Sequence, residues 1–127
     1  MKPNSVYFVL GRKDFINILT SVSWYNSSIE MDLEKYPTDC DFVRWASEFS
    51  RLNKYIQKLY KFNPNQKSYK LYCSKRRLDL IETALSEYIH CLNSSNIYYS
   101  IMSSCNNTYM VVDEVRISNY GFTTNDN

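Results

Sequence analysis

Residues 38–62 read TDCDFVRWASEFSRLNKYIQKLYKF, with Phe42, Trp45, Phe49, Leu52, Ile56 and Leu59 recurring at steps of three and four. That period lines all six along one side of an α-helix, and Asp39 stands where an N-cap belongs. Asn63-Pro64-Asn65 ends the pattern. A helix over about 40–62 with one apolar stripe has to lie against a second layer, so its surroundings decide the architecture.

Downstream, Tyr69 to Cys73 reads as a short strand. A second amphipathic helix over about 75–92 follows, with Leu78, Ile81, Leu85, Tyr88 or Ile89, and Leu92 as its inward set. Upstream, Ser5 to Leu10 is apolar on both faces, the signature of a central strand. Residues 14–25 fit two readings. Phe15, Ile18, Leu19 and Val22 have helical spacing and favour a helix, while the β-branched and hydroxyl side chains also suit a strand. Residues 28–34 alternate, with Ile29, Met31 and Leu33 against Glu30, Asp32 and Glu34, which predicts a half-exposed strand. Ile97–Met102 and Tyr109–Ile117 read as a β-hairpin around Cys105-Asn106-Asn107, and residues from about 118 to 127 as a loose tail. No internal repeat is visible. The expectation is one α+β domain over residues 1–127: a small, mainly antiparallel sheet packed by two long helices, with a C-terminal hairpin.

Composition excludes several classes. A chain of 127 residues can bury a core without disulfides. Gly11 and Gly121 are the only glycines, which argues against loops that cradle nucleotide phosphates. Cys40, Cys73, Cys91 and Cys105 form no Cys-x-x-Cys couplet, so a structural zinc site is not expected. Without a secretory signal or a membrane-length apolar run, the expectation is a cytoplasmic protein with reduced thiols. The Asn-x-Ser/Thr triplets at Asn26, Asn93 and Asn106 carry no meaning without secretion.

Charge is the most informative feature. Nine of the fifteen basic residues lie between Arg51 and Arg77, and Asp79 is the only acid from 51 to 80. Arg51, Lys54, Lys58 and Lys61 share a helix face opposite the apolar stripe, and Lys67 and Lys70 follow. Lys75, Arg76 and Arg77 open the next helix, where cations oppose the dipole unless an anion binds there. Aromatics interleave with them, and Tyr55 and Tyr69 are the candidate contacts. A segment so polarised favours an anionic partner.

Catalytic constellations are weak. His90 is the only histidine, and its neighbour Cys91 projects about 100° away on a helix. Asp39 and Asp41 suit helix capping. Glu30, Asp32 and Glu34, with Asp113 and Glu114, offer an acidic strip to a basic partner. The expected function is therefore a non-catalytic protein-binding module acting stoichiometrically, its target a protein with an acidic surface. An inhibitor of the immunity or antitoxin kind, or a viral or phage factor that blocks a host target, fits that description. The alternative is a nucleic-acid-binding protein contacting phosphates through residues 51–77. The third reading is a small Cys- or carboxylate-dependent hydrolase. No cofactor, metal or membrane contact is expected.

Overall fold

The computed structural model describes residues 3–93 and 99–121. The elements run β1 (Ser5–Gly11), α1 (Arg12–Lys35), α2 (Cys40–Phe62), β2 (Ser68–Ser74), α3 (Lys75–Leu92) and α4 (Tyr99–Tyr120). Four helices and one two-stranded antiparallel sheet make a mostly helical structure. α1 packs against every other helix and both strands. Its Phe15, Ile18, Val22 and Ile29 are fully buried, facing Phe49, Leu52 and Ile56 of α2 and Leu78, Ile81 and Leu85 of α3.

The helix at 40–62, the strand at 69–73 and the helix at 75–92 stand where the sequence places them. Elsewhere the structure corrects it. Residues 28–34 are not a strand; they continue α1 to Lys35. Ile29 and Leu33, one helical turn apart, face the core, and Met31 is 68% exposed. An alternating run fits either period. Here it extends a helix already nucleated upstream, with no breaker between, through good helix formers.

The expected C-terminal hairpin is also a helix. Ile97 and Tyr98 lie outside the described residues, but Tyr99 onward forms α4. Its buried stripe is Cys105, Thr108, Val112, Arg116 and Tyr120, a helical period in which two members are polar and invisible to apolar counting. The Asn17 amide donates to Ser104 Oγ at 2.8 Å and to Thr108 Oγ1 at 3.0 Å, and the Thr108 hydroxyl donates to Asp14 at 2.6 Å. Ser118 to Tyr120 belong to α4 rather than to a tail. Gly121, at φ 95°, closes it in the left-handed conformation, with its N–H on Ile117 O at 2.9 Å.

Nor is β1 a central strand. It has one partner, and its outer side chains Tyr7 and Val9 are 64% and 65% exposed.

The structure also reveals a repeat. Ser5–Gly11 and Ser68–Ser74 have equal length and lie 63 positions apart (Ser5 to Ser68, Gly11 to Ser74), and each runs directly into a helix. The register obeys the same displacement. Phe8 pairs with Leu71, its own equivalent, while the pairs Ser5–Ser74 and Gly11–Ser68 exchange. Gly11 (φ −62°, ψ 160°) and Ser74 (φ −73°, ψ 166°) turn the chain into α1 and α3 in the same way. Phe15, Ile18 and Val22 correspond to Leu78, Ile81 and Leu85, all buried. The element order therefore repeats as two βαα halves, β1–α1–α2 and β2–α3–α4, whose strands pair about Phe8 and Leu71.

Candidate binding surface

α2 presents the first part of the surface. The Asp39 carboxylate accepts from Phe42 N at 3.1 Å and starts the helix. Burial of Phe49, Leu52 and Ile56 then forces the intervening cations outward. Arg51, Lys54, Lys58 and Lys61 are all exposed. Arg51 donates to Ser47 Oγ at 3.1 Å, and the Lys58 ammonium lies 5.9 Å from the centre of the Phe62 ring. Phe62 is 71% exposed, so this open basic depression contains an aromatic ring that no core packing requires.

The outer face of the sheet is the second part. In this antiparallel ladder the even residues of β1 carry the interstrand bonds. Arg12 N donates to Lys67 O at 2.9 Å, two residues beyond the Leu10–Tyr69 pair and so of the same parity. Tyr7 and Tyr72 are therefore a close, non-bonded pair, and their rings stack 4.3 Å apart. Lys70 reaches diagonally across and holds its ammonium 4.5 Å from the centre of the Tyr7 ring. The outward-facing Tyr72 N–H goes to the Tyr55 hydroxyl at 2.9 Å, and the Tyr72 carbonyl accepts from Arg77 at 3.4 Å. The Arg77 guanidinium lies 4.5 Å from the centre of the Tyr55 ring. Tyr55 and Arg77 thus join the α2 face to the sheet face.

Two of the three cations at the start of α3 are engaged within the molecule. Arg76 makes a two-pronged contact with Glu48, at 2.7 and 3.1 Å, which holds the Glu48 carboxyl below its usual range. Ser74 caps Arg77 N at 3.1 Å. The cost of placing cations at this helix start is thereby offset from α2 and by the cap, and of the three only half-buried Lys75 has no bonded partner among the described residues. Tyr69 is no surface residue. It is 4% exposed, its ring stacks 3.9 Å from Phe15, and its hydroxyl donates to Asn63 O. Lys67 is exposed at the far end of the ladder.

The acidic strip does not form. On a helix, Asp32 projects away from Glu30 and Glu34, and Asp113 turns toward Arg116.

The sequence reading missed two arginines. Arg12 donates to the carbonyls of Pro64 and Gln66 and so organises the turn before β2. Arg116, 6% exposed, is the hub between α3 and α4: it meets Glu82 at 2.9 Å, Asp113 at 2.7 Å and Asp79 at 3.9 Å. One cation among three carboxylates leaves room for a proton. Burial and then the contact with Asp113 push the Glu82 carboxyl up to about 8, while the hydrogen bond from Glu82 holds Asp113 below its usual range. The signal in the sequence was slight: Arg116 is the lone base after residue 80, three positions from Asp113.

The groups needed for nucleophilic chemistry are dispersed. Burial pushes the Cys73 thiol up to about 12 and raises that of Cys105, so neither has thiolate character. Cys40, Cys91 and His90 are exposed. Among the described residues, no three His, Cys, Asp or Glu side chains are grouped as a metal site, and no helix is long and apolar enough to cross a membrane. Comparison with family models, curated proteins and solved structures finds no match.

Proposed function

We propose that this protein is a non-catalytic binding module that engages an acidic protein surface stoichiometrically and acts by occluding it. An inhibitor of the immunity or antitoxin type, or a viral or phage blocker of a host target, has this character. The observation that carries the reading is the exposed arrangement of Tyr7, Tyr72 and Lys70, joined through Tyr55 and Arg77 to Lys54, Lys58, Lys61 and Phe62 on α2. Preordered tyrosines supply contact area at low entropic cost, and arginine and aromatic side chains dominate interface energetics. The lysines speed encounter with an acidic partner and suppress basic ones.

A second reading, nucleic acid, draws on the same exposed tyrosines beside Lys70, since aromatics on an open sheet stack on bases. The Tyr7 ring, however, is already engaged by Tyr72 and Lys70, which favours a protein partner.

The test is affinity capture of the tagged chain from its native lysate, with and without nuclease, beside a Lys54→Glu/Lys58→Glu/Lys61→Glu variant. One protein at fixed stoichiometry, surviving nuclease and moderate salt but lost with the variant, is the expected result. Heterogeneous nucleic acid, with an affinity that falls steeply as salt rises, would establish the second reading instead.

A further inference from the structure

The two edges of the sheet are treated differently. On the β2 edge, the outward N–H and C=O of Tyr72 are taken by Tyr55 and Arg77. The matching groups on the β1 edge belong to Tyr7 and Val9, and no described residue bonds to them. α4, the counterpart of α2, stands off from this edge. Between them runs a groove of about 280 Å³, with Tyr7 and Phe8 on one wall and Val111, Glu114, Val115 and Ser118 on the other. That is below the roughly 300–1,000 Å³ typical of small-molecule pockets, and one wall is unsatisfied backbone.

We propose that the free edge of β1 receives an extended segment of the partner protein, which adds to the sheet as a third strand. Alternating outward donors and acceptors at Tyr7 and Val9 are met in register by another extended backbone, and β-addition is an established route to peptide recognition. Charge and polarity then define the segment. Side chains directed into the groove meet Phe8, Val111 and Val115 and are apolar, because Glu114 on that wall repels acids. Those on the outer face lie beside Tyr7 under the Lys70 ammonium and are Asp or Glu. The occupant is a strand alternating apolar and acidic residues. A second copy of this chain would instead present its own uncharged β1.

The proposal deepens the protein-binding reading and rests on it. The probe is a synthetic hexapeptide alternating Val and Glu, titrated into the labelled full chain and followed by amide NMR, with a Val-Lys hexapeptide as control. Tyr7 and Val9 amide signals should shift and become protected from exchange with the Val-Glu peptide only. Val9→Pro removes the outward N–H without touching the β1–β2 bonds and should abolish the effect. Val111→Trp, which fills the groove and leaves β1 unchanged, should do the same and stands in if the proline variant does not fold. Unmoved Tyr7 and Val9 signals, an equal response in both variants, or equal binding of the Val-Lys peptide would overturn the proposal. Concentration-dependent protection of those amides without peptide, together with dimer formation, would assign the edge to a second copy and overturn it too. Capture of a stoichiometric partner that persists in Val9→Pro would remove the edge inference alone, whereas loss of all capture with intact peptide binding would remove the broader reading.

Discussion

The βαα half from Ser5 to Phe62 and the half from Ser68 to Tyr120 have one plan and diverge wherever polar groups had to be accommodated. In the second half, Ser74 caps its helix, Arg77, with Tyr55 from the first half's α2, closes the β2 edge, and buried Arg116 ties α3 to α4 among three acids. In the first half, Gly11 offers no cap, no described residue bonds to the β1 edge, and α1 and α2 meet largely through aromatics such as Tyr25, Trp45 and Phe49. The apolar half of the plan is repeated, and the polar half is not. Burial sets the common architecture, and the departures from symmetry are where specific chemistry resides.

The largest effects test the shared core. Phe15→Ala should cost about 3–5 kcal/mol and its equivalent Leu78→Ala about 2–5 kcal/mol, measured by urea unfolding. A single transition in both variants would show that the halves unfold together; separate transitions would break the comparison into two independent units.

Next comes the cluster that has no counterpart in the first half. Arg116→Met removes the cation that joins Glu82 to Asp113; because Glu82 keeps a proton at neutral pH and Asp113 is partly exposed, the cost should be about 1–3 kcal/mol. The loss should shrink in acid as the carboxyls take up protons. A cost under about 1 kcal/mol, the range of an exposed pair, would show that the hub is not structural.

Titration sharpens the point. The Glu82 carboxyl is raised in the folded protein to about 8, so the native state keeps a proton that the unfolded chain releases near 4.5. Its contribution is therefore full in acid, declines as pH rises from about 4.5 to about 8, and is then constant. Asp113 works in the opposite sense, with a lowered value whose contribution is lost only below its ordinary value of 3.8. The melting temperature of the wild type should fall across the Glu82 window, and Glu82→Gln should flatten that slope. An identical slope in the variant would mean that Glu82 is ionised throughout.

The helix starts give smaller, opposite effects. Ser74→Ala should destabilise by about 1 kcal/mol, while Gly11→Ser should stabilise by a few tenths up to about 1 kcal/mol. A Cβ at Gly11 meets nothing within 4 Å, and its φ of −62° suits any residue. Loss of stability in Gly11→Ser would show that the two caps are not equivalent. Smallest is Tyr55→Phe, about 0.5–1.5 kcal/mol, read locally as faster amide exchange at Tyr72. No change there would mean that the β2 edge is as open as the β1 edge.

The elements legible in the sequence were those whose buried positions are all apolar. α2 and α3 follow from leucine, isoleucine and aromatic spacing, and the short strand between them from alternation. α4 was hidden because Thr108 and Arg116 occupy inward positions, and a period with polar members does not register as apolar. The end of α1 was hidden by a run that alternates and is also helical at steps of four. The repeat left only scattered identities, such as Ile18 with Ile81, Thr20 with Thr83 and Tyr25 with Tyr88.

The basic segment was evident from composition, but not which of its members are available. Nothing in the string distinguishes Arg76, held by Glu48, from Lys70, poised over Tyr7. Tyr69 and Tyr72 stand three residues apart, yet one belongs to the core and the other to the surface.

The sequence by itself determined the helical periods of α2 and α3, the two short strands and the concentration of positive charge between Arg51 and Arg77. These depend on local spacing and count, which survive in an unfolded chain. Only the tertiary structure decided that β1 pairs with β2 about Phe8 and Leu71, that Arg116 gathers three acids, and that one sheet edge is sealed while the other has no partner among the described residues. Each of those depends on groups distant in sequence becoming neighbours, and on which backbone hydrogen bonds remain once they have.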